Sequence, residues 1–129
     1  MAVTHSTAAR NAATNAVTAL LNASGAGKLV FRTTGNITVP GTAVATLTFS
    51  ATAFGASSSG IATAAAITSD TNAAGGTVAT ATLETGATVV VVHCAVAGSG
   101  SDINLTGGLN VTAGDTVSCS SLTYTALTA

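Results

Sequence analysis

Residues 87–96, Ala-Thr-Val-Val-Val-Val-His-Cys-Ala-Val, constrain the fold more than any other stretch of this chain. The four valines are β-branched, which restricts χ1 and favours a pleated strand over a helix. The run is apolar at successive positions, so a strand made of it needs cover on both faces. It therefore predicts a strand at the centre of a β structure, and it is far shorter than the roughly 20 apolar residues of a membrane span.

A single helix is predicted over residues 6–22, ahead of all the strands. Ser6 or Thr7 can accept a free backbone N–H as its cap, and the Gly-rich segment 24–27 ends it. Helical spacing predicts one apolar stripe, which either covers one end of the core or docks on another subunit. The stripe consists of Ala9, Ala13, Ala16, Val17, Leu20 and Leu21, and the residues expected to face away from it are Asn11, Thr14, Asn15 and Thr18.

Alternation of apolar and polar residues predicts about seven strands after the helix. In residues 42–50, Ala43, Ala45, Leu47 and Phe49 are expected inward and Val44 outward. In residues 77–84 the expected inward set is Ala79, Ala81 and Leu83, and the expected outward set is Val78, Thr80, Thr82 and Glu84. Thr85-Gly86 joins this second strand to the valine strand as a β-hairpin. The remaining strands are expected within residues 28–33, 61–68, 103–105, 109–112 and 116–127, and residues 61–67 keep a helix as the competing interpretation.

The pattern predicts a mainly β fold, an antiparallel β-sandwich of about seven strands with one N-terminal helix. Residues 1–26 would form the N-terminal helix or arm and residues 27–129 the β-sandwich domain. Removal of residues 1–24 is then expected to leave a folded β domain.

Charged residues make up 5% of the chain, against about 25% in an average globular protein, and the net charge is −1. A surface of hydroxyl and methyl groups suits a protein that is packed permanently against neighbours, with a secreted domain as the alternative. Three basic residues and an aromatic share of 3% argue against nucleic-acid partners. The N-terminus lacks a basic start followed by an apolar block, which predicts synthesis in a cytoplasm.

The titratable side chains predict no catalytic, cofactor-binding or metal site. His93 and Cys94 are adjacent, so on a strand they point to opposite faces and cannot form a nucleophile–base pair. Asp102 and Asp115 fall in Gly-rich turns, where they are expected to accept backbone N–H groups. Cys94 and Cys119 are expected either as two buried thiols or, if their strands are neighbours, as a disulfide formed outside the cell.

Seven short motifs, spread over nearly the whole chain, resemble a family of small virion proteins encoded near the head genes of tailed bacteriophages. The N-terminal ones are Thr-x-Ala-Arg-Asn-Ala-x-Thr-Asn-Ala-Val (7–17) and Gly-x-Gly-Lys-Leu-Val-Phe (25–31). The others are Ala-Thr-Leu-Thr-Phe (45–49), Ala-Phe-Gly-Ala (53–56), Ala-Ile-Thr-Ser-Asp (66–70), Ser-Asp-Ile-Asn-Leu (101–105) and Ala-Gly-Asp-Thr-Val-x-x-x-Ser-Leu-Thr-Tyr-Thr (113–125). The chain departs from the likeness at the valine run, where the family resemblance implies a more polar stretch with an aspartate.

The resemblance implies a non-enzymatic structural protein of the virion, synthesised in the host cytoplasm. A capsid decoration or cement protein is the favoured expectation, with the major capsid protein or other virion proteins as partners and a homo-oligomer as its form. A neck, collar or tail component is the first alternative. A virion-surface glycan-binding module and a secreted filament subunit are further alternatives, which the scarcity of aromatic residues and the N-terminal sequence respectively disfavour.

Overall fold

A computed structural model describes residues 3–128, and within them the chain forms one α-helix and nine β-strands. The predicted helix is confirmed, and the oxygen of Ser6 accepts the N–H of Ala9 at 3.1 Å as its cap. Several predicted strands are shorter than expected or divided in two. The elements are α1 (Thr7–Leu20), β1 (Lys28–Arg32), β2 (Ala43–Thr48), β3 (Ile61–Thr63), β4 (Gly76–Thr77), β5 (Thr80–Glu84), β6 (Val90–Ala97), β7 (Ile103–Asn104), β8 (Asn110–Val111) and β9 (Thr123–Thr125).

The largest sheet has five strands in the order β2-β1-β5-β6-β7. Its strands pair antiparallel except for β6 and β7, which run parallel, so the sheet is mixed. Two-stranded sheets form from β3 with β9 and from β4 with β8. The mainly β class with one N-terminal helix is therefore confirmed, whereas the sheet is not the purely antiparallel one that was predicted.

The central strand is β5 and not the valine strand, so the predicted central position of residues 87–96 is wrong. All five residues of β5 are buried, whereas most of β6 is only half-buried. Val78, Thr80, Thr82 and Glu84 were expected to face outward, yet all four are buried. Strand neighbours on both sides and cover on both faces place β5 in the interior, despite its polar side chains.

A β-bulge explains a second difference from the predicted alternation. Phe31 lies opposite Ala45 and Arg32 lies opposite Ala43, so Val44 is the extra residue on β2. A bulge changes the direction of the strand and of its side chains. Val44 is fully buried as a result, although the alternation predicted that it would face outward.

The helix packs on the rest of the protein through the face that was expected to point away. Thr14 and Thr18 are its buried residues, whereas Ala9 and Ala16 are exposed and Leu20 is 53% exposed. The expected inward stripe is therefore wrong for these positions, and only Leu21, just past the helix, joins the core. Because Leu21 is a core side chain, removing residues 1–24 would also remove part of the core.

The core is formed by buried apolar side chains of β1, β2, β3, β5 and β6 together with those of the connecting segments. Phe54 anchors the loop between β2 and β3, because it is 5% exposed and its ring centroid is 5.7 Å from that of Phe49. The other large buried apolar side chains are Leu21, Leu29, Phe31, Val44, Leu47, Val78, Leu83, Val96 and Val117.

Candidate functional site

The most unusual surface of this protein is the outer side of β6. On its inner side β6 pairs with β5 along nearly its whole length, but on its outer side only Val96 and Ala97 pair, with the two-residue strand β7. No described residue forms a strand against the outer side of residues 90–94, a segment that we call the open edge. It therefore presents backbone N–H and C=O groups that another strand could use.

The open edge carries none of the charged or proline side chains that commonly protect an exposed strand, although a β-bulge at Val91 interrupts its pairing with β5. Residues 85–101 contain no Lys, Arg, Asp, Glu or Pro, although such residues normally prevent edge-to-edge pairing. Val90, Val91 and Val92 are half-buried, and the neighbouring Val89 is 60% exposed. An uncharged, valine-rich edge of this kind favours association with another β-strand.

His93 and Cys94 lie on opposite faces of the sheet, as the sequence predicted. His93 is paired in register with Thr82, and Cys94 with Ala81, so the two side chains alternate. The Nε2 atom of His93 is buried and has no hydrogen-bond partner among the described residues. Buried polar atoms are normally paired, so this ring is a second unusual feature of the open edge.

The face of the sheet that carries His93 holds a buried ion pair. Arg32 Nη2 donates to Glu84 Oε2 at 2.7 Å, and the two side chains are 17% and 2% exposed. Arg32 Nε donates to the hydroxyl of Thr82 at 3.0 Å, and that hydroxyl donates to Glu84. The network satisfies the polar side chains that β5 brings into the interior, which is the condition for burying them.

The loop between β1 and β2 completes this polar network. Arg32 Nη1 donates to the carbonyl of Gly41 at 2.8 Å, and Thr80 donates to the carbonyl of Thr33 at 2.9 Å. A Cβ atom at Gly41 would clash with the Thr33 carbonyl, so only glycine allows this close approach. The sequence contained both ionic residues, but nothing in it indicated that they pair.

Polar contacts, and not an apolar stripe, hold the helix on the β domain. Asn11 accepts the N–H of Gly60 at 2.8 Å, and Thr14 donates to the carbonyl of Gly60 at 2.7 Å and accepts the N–H of Ala126 at 3.1 Å. Arg10 donates to the carbonyls of Ser59 and Leu127. The opposite side of the helix consists of small exposed residues, which are Ala8, Ala9, Ala12, Ala16 and Ala19.

A cleft of about 560 Å³ opens beside β7 and reaches the ring of Phe31. Asp102 and Asp115 line it, but each is used within the fold, because Asp102 accepts the N–H of Ala95 and Asp115 that of Thr112. Both aspartates accept backbone N–H groups, as predicted. Within residues 3–128, no group of three or more His, Cys, Asp or Glu side chains could hold a metal ion.

The two cysteines are free thiols in this structure. Burial, with a smaller contribution from the negative charge of Asp102, raises the pKa of Cys94 to about 11. Burial also raises the pKa of Cys119. A thiol with a raised pKa is protonated at neutral pH and is a poor nucleophile, so neither cysteine has the properties of a catalytic residue.

Six of the seven Lys, Arg, Asp and Glu side chains form hydrogen bonds or an ion pair within the chain, although Asp102 and Asp115 are exposed. Asp70, for example, accepts the N–H groups of Thr46 and Asn72. The exception within residues 3–128 is Lys28, for which the structure gives no such bond. Because charged residues are only 5% of the chain, the exterior consists mainly of hydroxyl, amide, methyl and backbone groups.

No family model, no curated protein and no solved structure matches this chain. Within the part of the chain that the structure describes, no helix is long and apolar enough to cross a membrane.

Proposed function

We propose that this protein is a non-enzymatic structural component of a bacteriophage virion, and that it acts as a capsid decoration or cement protein. The observation that carries the proposal is the low charge of the chain, because it has only seven Lys, Arg, Asp and Glu side chains and two of these, Arg32 and Glu84, neutralise each other in the interior. A free protein relies on surface charge to resist self-association. A subunit that is covered by neighbours has no such need.

Cementing requires many copies, each contributing a modest contact. Every apolar square ångström that is buried contributes roughly 25 cal/mol, and contacts repeated over a shell add up to resist outward pressure. The open edge of β6 and the exposed alanine side of α1 are the surfaces that suit such contacts.

The abundance of this chain in purified particles tests the proposal. We expect gel quantitation against the major capsid protein to give on the order of hundreds of copies, as shell symmetry requires of a decoration protein. About six or twelve copies would instead support the neck, collar or tail alternative. Absence of the chain from particles would overturn the virion assignment.

A matched pair of variants then tests the contact surface. Ala16→Arg places a charge on the exposed side of α1, and Ser99→Arg places the same charge on an exposed loop. Both variants should fold, because neither side chain is buried. If α1 faces a neighbouring subunit, Ala16→Arg lowers incorporation and Ser99→Arg does not; equal incorporation of both variants removes α1 from the contact.

The cleft beside β7 favours a second candidate, a glycan-binding module on the virion surface. Its lining includes the polar side chains of Asn104, Asn110 and Asp115. The position of the aromatic rings argues against it, because sugars usually stack on exposed rings and Phe31, Phe49 and Phe54 are at most 5% exposed. Saturable binding on a glycan array, abolished by Asn110→Arg, would favour this candidate over the structural role.

A further inference from the structure

We propose that the open edge of β6, residues 90–94, pairs antiparallel with the same edge of a second copy of this chain. The five-stranded sheets of the two copies would then continue into each other through a β6–β6 contact. The inference concerns the purified chain and does not depend on whether the chain is part of a virion.

The backbone of β6 has free groups that point toward the open edge. The N–H of Val96 bonds to the carbonyl of Ala79 on the β5 side, and the N–H of Ala95 bonds to Asp102 on the other side. The carbonyl of Ala97 also faces that outer side, where it accepts the N–H of Leu105. Because these directions alternate along a strand, the N–H and C=O of His93 point outward, and no described residue bonds to them.

The two ends of the open edge determine how a second strand can lie against it. At the C-terminal end of β6, β7 occupies the outer side of Val96 and Ala97. At the N-terminal end of β6, the hairpin of residues 85–89 connects it to β5. A parallel partner would place its own β7 against the β7 already present. An antiparallel partner places each β7 beyond the hairpin end of the other copy, and the free segments then have equal length.

The chemistry of the edge favours an identical partner. Residues 90–94 carry no formal charge and the chain has a net charge of −1, so two copies repel each other very little. In an antiparallel pairing of residues 90–94 with themselves, Val92 faces Val92, Val91 faces His93 and Val90 faces Cys94, so every facing pair includes a β-branched valine. Residues 92–94 pair with β5 in regular register, so each copy offers a short regular segment next to the β-bulge at Val91.

A contact of this size predicts a weak dimer. Pairing of five residues per copy buries less than the roughly 1,200 Å² that is typical of a stable complex. We therefore expect a concentration-dependent equilibrium between a 12.2 kDa monomer and a species of about twice that mass. High local concentration on an assembled surface would favour the paired form.

The test uses analytical ultracentrifugation of the full chain and two variants over a range of concentrations. His93→Pro removes an outward N–H and blocks the edge without removing a bond to β5. His93→Thr changes the same side chain but keeps the N–H. We expect the wild-type chain and His93→Thr to dimerise with rising concentration and His93→Pro to remain monomeric, with far-UV circular dichroism confirming that all three are folded.

Other results would overturn the proposal. A wild-type chain that stays monomeric at millimolar concentration has no β6–β6 contact, and loss of the dimer in His93→Thr would assign the contact to the side chain and not to the backbone. If His93→Pro does not fold, hydrogen exchange of the wild-type chain provides the decisive measurement. Paired edges require the His93 amide to exchange more slowly as concentration rises, and an unchanged rate would exclude them.

Discussion

The buried ion pair between Arg32 and Glu84 leads to the sharpest prediction about stability. In Glu84→Ala the Arg32 guanidinium stays in the interior without its carboxylate partner, since its side chain is only 17% exposed. Leaving one charge of a buried pair uncompensated costs about 3–5 kcal/mol. Arg32 keeps its bonds to Gly41 and Thr82, so we expect a loss near the lower value, about 3 kcal/mol.

A second variant separates the charge from the packing. Replacing both partners, as in Arg32→Met with Glu84→Met, removes the unpaired charge and fills much of the same volume. Such replacements are often neutral or stabilising, so the double variant should be more stable than Glu84→Ala. Lys28→Met is the matched control, because it removes one charge from a half-exposed residue in the same sheet and should change stability by no more than about 0.5 kcal/mol.

Urea unfolding followed by far-UV circular dichroism measures these differences, since the chain has no Trp and a single Tyr. With a slope of about 1–3 kcal/mol per molar urea, Glu84→Ala should lower the midpoint by roughly 1–3 M. A loss below about 1 kcal/mol would mean that the carboxylate is not buried beside Arg32. A double variant no more stable than Glu84→Ala would refute the reasoning about uncompensated charge.

Two further predictions concern Thr14 and Cys94. Thr14→Val preserves the shape of the side chain but leaves the Gly60 carbonyl and the Ala126 N–H unpaired. It should therefore lower the free energy of unfolding by about 2–4 kcal/mol in the same urea experiment. The control Ala16→Ser, on the exposed side of the helix, should change it by less than about 0.5 kcal/mol, and an equally small effect of Thr14→Val would contradict the polar docking of the helix. The folded-state pKa of Cys94, about 11, is above the ordinary value of 9.0, so the stability that this thiol contributes is complete below pH 9 and is lost as pH rises toward 11. A matching fall in urea midpoint that disappears in Cys94→Ala would verify this, and a fall that persists in the variant would assign it to another group.

Local features of the fold were predictable because neighbouring residues determine them. The helix follows from its Ser6 cap and the glycines beyond it, and the hairpin between β5 and β6 follows from a short turn between two alternating runs. The opposite orientation of His93 and Cys94 needs only the two-residue repeat of a strand. None of these inferences depends on which strands are neighbours.

The mistaken predictions for the valine strand, β5 and the helix share one cause, which is that apolar character was used to infer which residues are buried. The valine strand lies near the edge and the Thr- and Glu-containing β5 is central, because Arg32, 52 residues away along the chain, neutralises Glu84. The helix likewise packs through Thr14 because Gly60 and Ala126 supply bonding partners. Polar side chains were predicted to face solvent because the sequence did not reveal these partners.

The sequence by itself therefore determined the mainly β class, the single helix, the hairpin and the scarcity of charge. Strand order, the inward face of the helix and the open edge of β6 were decided only by the tertiary structure. The physical reason is that burial of a polar group depends on a hydrogen-bonding or ionic partner, and here those partners come from distant parts of the chain.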